Sequence, residues 1–158
     1  MKQCQRPFHS VEQMDNTIIK NWNSVVGIDD EVYILGDLTM KSAPIAHGYL
    51  TALHGKKYLI KGNHDEFTND FEPYLDDLEW IKDYYKLPYQ EKEFILFHYP
   101  ILEWENKGKN SIHLYGHIHN NKKLSEKAKL IDGRCMNVGV DANDYFPVSM
   151  ESVIKILG

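Results

Sequence analysis

Four short apolar runs in this chain each stop at a residue that can bind a metal ion, and this recurrence narrows the possible folds more than any other feature. Glu31 to Leu35 runs into Gly36-Asp37, and Lys57 to Lys61 into Gly62-Asn63-His64-Asp65. Glu93 to Phe97 ends at His98, and Ser111 to Tyr115 at Gly116-His117-Ile118-His119. Short apolar runs bounded by turn residues read as strands. In layered α/β folds, ligand sites gather outside the carboxyl ends of strands. Strands ending in these residues are expected to deliver their polar side chains to one edge of a sheet.

The stretches between the strands carry helix signals. Ser10 and Gln13 form a capping-box pair, and Val11, Met14, Ile18, Trp22 and Val25 follow at helical spacing. Gly27 can end that helix. A second helix is expected over Ser42 to Leu53, a short one over Asp70 to Leu78, and a last one from the Ser149 cap through Leu157. Trp80 to Leu87 reads as a strand joined through Tyr89 to Lys92 to the next, and Met136 to Val140 as one more. No repeat or linker-like tract interrupts the 158 residues, so a single domain, 1–158, of the α/β class is expected.

As ligands, the polar residues form a coherent set. Asp37 offers a carboxylate that can bridge two cations, Asn63 an amide oxygen, and His98, His117 and His119 imidazole nitrogens. A mixed nitrogen and oxygen set without thiolate suits Mn, Fe, Zn or Ni better than calcium or a structural zinc. His117 and His119 would share a face on a strand, but on a loop they can splay toward two ions. Taken singly, a Gly-Asp after a strand is an ordinary turn and His98 an ordinary core histidine; the signal is the ordered series. His113, inside a strand, reads as structural, and Lys122-Lys123 as a solvated turn.

Composition excludes some partners. The net charge of −5 gives no basic footprint for nucleic acid, although metals can supply positive charge that side chains lack. Cys4 and Cys135 make neither a disulfide framework nor a four-ligand zinc site, and read as reduced thiols. No apolar run reaches the roughly 18 residues of a membrane span, and Met1 to Pro7 contains no signal-peptide core. A cytoplasmic location without a membrane partner is therefore expected.

With these motifs the chain resembles the calcineurin-like metallophosphoesterases, whose series is Asp-x-His, Gly-Asp, Gly-Asn-His-Asp/Glu, His and Gly-His-x-His. Four of the five stand here. It is most similar to the small stand-alone phosphoesterases of bacteria and their phages, which also carry stretches like Arg6-Pro7-Phe8, Asn21 to Val26, His113 to His117 and Asn137 to Asp141. The resemblance covers nearly the whole chain. It implies a layered β-sheet sandwich flanked by helices. It also implies that Asp37 bridges two metals, that Asn63, His98 and His117 complete the second site, and that His119 belongs to the first. His64 resembles the family's general acid. The implied activity is hydrolysis of a small phosphomonoester or phosphodiester by metal-activated water.

Two departures shape the expectations. No Asp-x-His occurs in the sequence, so the family's first strand is expected to be missing, the second metal site occupied and the first weak or empty. The alternative function is then a non-catalytic or weakly active metal-binding descendant with a binding or regulatory role. Gly36-Asp37 is followed by Leu-Thr-Met rather than the Asp-Arg-Gly of protein phosphatases, which disfavours a phosphoprotein substrate. An absent first strand would also leave Glu31 to Leu35 with an open edge, and either a homodimer through that edge or the Met1 to Phe8 region, or a strand borrowed from elsewhere in the chain, is expected to fill it.

Overall fold

The computed structural model describes residues 6–70, 72–131 and 133–158; Cys4 and most of the Met1 to Phe8 region lie outside them. Helix α1, Val11–Val25, starts at Ser10, whose side chain accepts the N–H of Gln13. The Gln13 side chain returns a bond to the N–H of His9, one residue before the cap. Trp22 from its buried face packs with Val26 and Leu53 against Val32 and Ile34 of strand β1, Glu31–Ile34. Helix α2, Ala43–Ala52, follows, with Pro44 in its first turn, where a missing N–H costs nothing. Strand β2 is Lys56–Ile60.

The region after β2 departs from expectation. The predicted helix over Asp70 to Leu78 is instead two 3-10 segments, Glu66–Asp70 and Glu72–Asp77, the second kinked at Tyr74 (φ −125°, ψ 19°). Pro73 lacks an N–H and restricts the residue before it, which breaks a continuous helix here. The predicted strand Trp80 to Leu87 is two strands in two sheets. Strand β3, Trp80–Lys82, pairs parallel with β2, and β4, Tyr84–Tyr89, pairs antiparallel with β5, Lys92–Phe97. An unbroken aromatic and aliphatic run gives no sign of where a chain leaves one sheet for the next; Asp83 is the changeover residue.

Strand β6, Ser111–Tyr115, is buried along its whole length. Lys122-Lys123 is not a bare turn but the start of helix α3, Lys122–Ala128, capped by Asn121, whose side chain accepts the N–H of Leu124. Strand β7 is Cys135–Asn137, shorter than the predicted Met136 to Val140, because the chain turns into a 3-10 segment at Val140–Ala142. Helix α4, Met150–Leu157, opens at Ser149.

The architecture is mixed α/β. Among the described residues there are two sheets, ordered β1-β2-β3 and β4-β5-β6-β7, and four α-helices. One core joins them: Leu35 and Ile60 from the first sheet meet Phe94, Leu96, Ile112 and Leu114 from the second, together with Val153 of α4. Helix α2 covers the other face of the first sheet through Ala46 and Leu50 against Leu59. Helix α3 brings Ala128 onto Tyr115. Among the described residues β1 ends its sheet, and a cleft of about 770 Å³ is lined by every residue from Asp30 to Leu38. No helix is long and apolar enough to cross a membrane, among the described residues.

Candidate metal centre

The four strand ends meet where the two sheets abut. Asp37 follows β1, Asn63 follows β2, His98 follows β5 and His117 follows β6. One bond ties the sheets at this point: His98 Nδ1 lies 2.7 Å from the Leu35 carbonyl oxygen. The Gly116 N–H donates to the His98 carbonyl at 3.0 Å, joining the ends of β5 and β6 within the second sheet. The turn glycines allow the close approach. Gly36 has φ +87°, and a Cβ there would strike the His98 ring and the Gly62 backbone; one on Gly62 would strike Asp37.

The structure brings Asp37, His98 and His117 into one cluster, their ligand atoms all within 4.8 Å of one another. His98 Nε2 lies 3.5 Å from Asp37 Oδ2, 3.0 Å from Asn63 Oδ1 and 3.2 Å from His117 Nδ1. With a hydrogen on Nδ1 for the Leu35 carbonyl, a neutral His98 presents a lone pair at Nε2. That lone pair then faces carboxylate and amide oxygens and a second imidazole. Electron-pair donors converging in this way repel unless a positive charge lies among them, and a divalent cation with a taste for mixed N/O ligands fits the set.

The local electrostatics lean the same way. Burial would drive protons off His98, but the bonds to Asp37 and the Leu35 carbonyl outweigh it and raise its affinity for a proton. Burial would raise Asp37; contacts with His98 and the His64 N–H bring it below the usual carboxylate range instead. His117 is pushed down, by burial first and then by the charge of His98. Tyr99 packs beside the His117 ring, with centroids 4.5 Å apart.

His119 lies outside this cluster. Its Nδ1 is 2.6 Å from Asp141 Oδ2, and its carbonyl accepts the Asn137 side-chain N–H at 2.9 Å. His64 is exposed at the rim, with its backbone N–H on Asp37 Oδ1 at 2.9 Å. His113 is fully buried, its two ring nitrogens facing the carbonyls of Ile95 and Tyr99, in keeping with a structural role.

Sequence reasoning missed three residues. Asp65 is wholly buried and accepts the backbone N–H groups of Gly62, Asp37 and Leu38 at 2.8 Å each, pinning two ligand-bearing turns together. Arg6 forks onto Asp141, with Nε to Oδ1 at 2.6 Å and Nη2 to Oδ2 at 2.8 Å. Burial alone would raise Asp141, but the bonds from His119 and Arg6 bring it down to about 2. Asp65 stood in the Gly-Asn-His-Asp motif, so it could have been suspected; nothing in the sequence couples residue 6 to residue 141. The backbone at the site is unusual as well. Asp37, His117 and His119 sit at φ 58°, 61° and 49°, a left-handed region uncommon for non-glycine residues, where strain tends to mark functional sites.

Fold and site together define a mixed α/β protein with an Asp/His cluster that could hold a metal ion. The chain is 35% identical over 160 residues to the uncharacterized protein MJ1445 of Methanocaldococcus jannaschii, across 99% of this chain and 82% of that protein, and belongs to its family. It is 29% identical to the gene 66 protein of Mycobacterium phage L5, across 84% of this chain and 75% of the phage protein. The crystal structure of AQ665, a protein of unknown function from Aquifex aeolicus, superposes with a TM-score of 0.74 at 25% identity, covering 95% of this chain and 88% of that one. No family model matches the chain.

Proposed function

We propose that this chain is a cytoplasmic, metal-dependent phosphoesterase of the calcineurin-like type that hydrolyses a small phosphomonoester or phosphodiester. The observation that carries this reading is the convergence of Asp37, Asn63, His98 and His117 from four strand ends of two sheets. These four residues would hold a divalent ion. Bound there, Mn, Fe, Zn or Ni would supply Lewis acidity and neutralise charge on a phosphoryl group. His64, exposed beside Asp37, would hand a proton to the departing alkoxide, a role typically worth about 10²–10⁴-fold. Asp65 holds the Asp37 and Asn63 turns in register, and Tyr99 braces His117.

The test is hydrolysis of bis(p-nitrophenyl) phosphate and p-nitrophenyl phosphate with added Mn²⁺, lost on chelation. His98→Ala and His117→Ala should lose both metal and turnover. His64→Ala should keep the metal and lose turnover, most steeply with poor leaving groups. Equal metal loss in all three variants would refute these roles, and no turnover of either ester by the Mn²⁺-loaded chain would refute the enzyme. The second reading, a non-catalytic metal-binding descendant, is favoured by one observation: no Asp-x-His occurs in the sequence, which leaves the first metal site only Asp37 and His119. It predicts nearer one ion per chain than two, and no hydrolysis.

A further inference from the structure

Asp141 is a buried carboxylate beside the candidate centre that is engaged by charged and imidazole side chains, and no step of the proposed hydrolysis uses it. Its side chain is only 2% exposed. Three donor contacts converge on it: Arg6 Nε to Oδ1, Arg6 Nη2 to Oδ2, and His119 Nδ1 to Oδ2. A guanidinium fork fixes a carboxylate in plane and orientation, which a single point charge cannot do. The fork spans 135 residues of sequence, so it is a tertiary clamp and not a local turn.

The consequence falls on His119. An ionised carboxylate can only accept, so the 2.6 Å contact requires the hydrogen on Nδ1 of His119. A neutral imidazole then has its lone pair on Nε2. The other end of the residue is fixed as well, through its left-handed backbone and the Asn137 bond to its carbonyl. A histidine side chain 37% exposed would otherwise exchange its hydrogen between the two nitrogens through water. We propose that Asp141, clamped by Arg6, is a positioning residue that locks His119 with hydrogen on Nδ1 and holds Nε2 bare to receive a divalent cation. The tautomer half of this proposal stands alone; the cation half rests on the metal-dependent reading above. Carboxylates that orient metal-binding histidines typically contribute 10–100-fold to affinity.

Two measurements test the halves separately. Long-range ¹H–¹⁵N spectra of metal-free, ¹⁵N-histidine protein, above the pH range of imidazole protonation, report which nitrogen carries the hydrogen; the His119 signals are those missing in His119→Asn. The wild type should show His119 protonated at Nδ1. Asp141→Asn, whose amide can turn an N–H toward the ring, should move the population toward hydrogen on Nε2. Arg6→Lys keeps a cation near Asp141, should leave the fold intact and should give an intermediate mixture. A bare Nδ1 in the wild type, or an unchanged tautomer in both variants, overturns the proposal. Titration with Co²⁺, followed by its visible spectrum, should show a His119-dependent phase that weakens about 10-fold or more in Asp141→Asn. Identical Co²⁺ titrations for wild type and His119→Ala overturn the cation half. Neither readout involves ester hydrolysis, so both would still decide the matter in a catalytically silent chain.

Discussion

Asp65 and Asp141 show how one kind of buried side chain takes two characters. Each meets three donor contacts, but those of Asp65 come only from backbone N–H groups, and burial wins, raising its carboxyl above the ordinary value. Burial pulls the same way on Asp141, but the bonds from His119 and then from the Arg6 guanidinium outweigh it, and its carboxyl falls from 3.8 to about 2. Between those values the folded chain binds fewer protons at Asp141 than the unfolded chain does. Stability from this group is therefore complete above the unfolded value and is lost as the pH falls through about 2, an amount of about 2 kcal/mol. Denaturant melts taken from about pH 5 downward should show this acid loss in the wild type, and Arg6→Ala should flatten it; an unchanged acid limb in Arg6→Ala would remove the assignment. Asp65→Asn leaves a buried backbone N–H facing an amide that cannot accept it, a loss of about 1–3 kcal/mol. The melting temperature should fall by several degrees, at roughly 2–4 °C per kcal/mol for a chain of this size. Asp37→Asn should abolish metal binding with a much smaller effect on melting. If Asp65→Asn melts like the wild type, Asp65 does not pin the two turns.

At the scale of elements, what could be read in the sequence was whatever local chemistry decides. Ser10 and Ser149 cap α1 and α4 as their sequences announce, each accepting the N–H three residues on. The strand ends at Asp37, His98 and His117 followed from apolar runs that stop abruptly. Features decided by distant contacts were not legible. The break at Asp83 depends on which sheet offers β3 and β4 a partner, and the Arg6–Asp141 clamp depends on a fold that brings together residues 135 apart. Helix α3 was legible and missed: Asn121 before Lys122 to Ala128 is an ordinary cap, hidden by the charge pair behind it. The resemblance assigns His119 to a different metal site from His117, and its ring stands outside the Asp37–His98–His117 cluster; its contact with Asp141 was not legible. Because the caps are local, their loss should be local in size. Ser10→Ala and Ser149→Ala should each destabilise the chain by about 1 kcal/mol, without changing metal content. A loss several times larger in either variant would mean that the serine does more than cap its helix.

At the scale of the whole molecule, the first sheet has an open seam at β1. Among the described residues β1 pairs with β2 on one side only, and residues 30–38 line a cleft of about 770 Å³. The cleft is lined by Ile18 and Trp22 of α1, Val153 of α4, Val138 and Val148, and by Asp37, His117 and His119. An end strand with unpaired N–H and C=O groups is a template for another extended segment, and apolar walls favour filling over hydration. Backbone groups shut away from water without partners each cost about 1–3 kcal/mol, against a typical total stability of about 5–15 kcal/mol. We therefore propose that the chain self-associates through this edge, a symmetric dimer being the commonest closed form. Light scattering at micromolar concentration should report a dimer. A stable wild-type monomer would remove the association. The seam can also be tested by filling it: an apolar strand fused ahead of Met1 and ending in Asp-x-His should raise the melting temperature, add a second ion per chain and increase ester hydrolysis together. A fusion that changes none of the three would show that the cleft is not the seat of a strand.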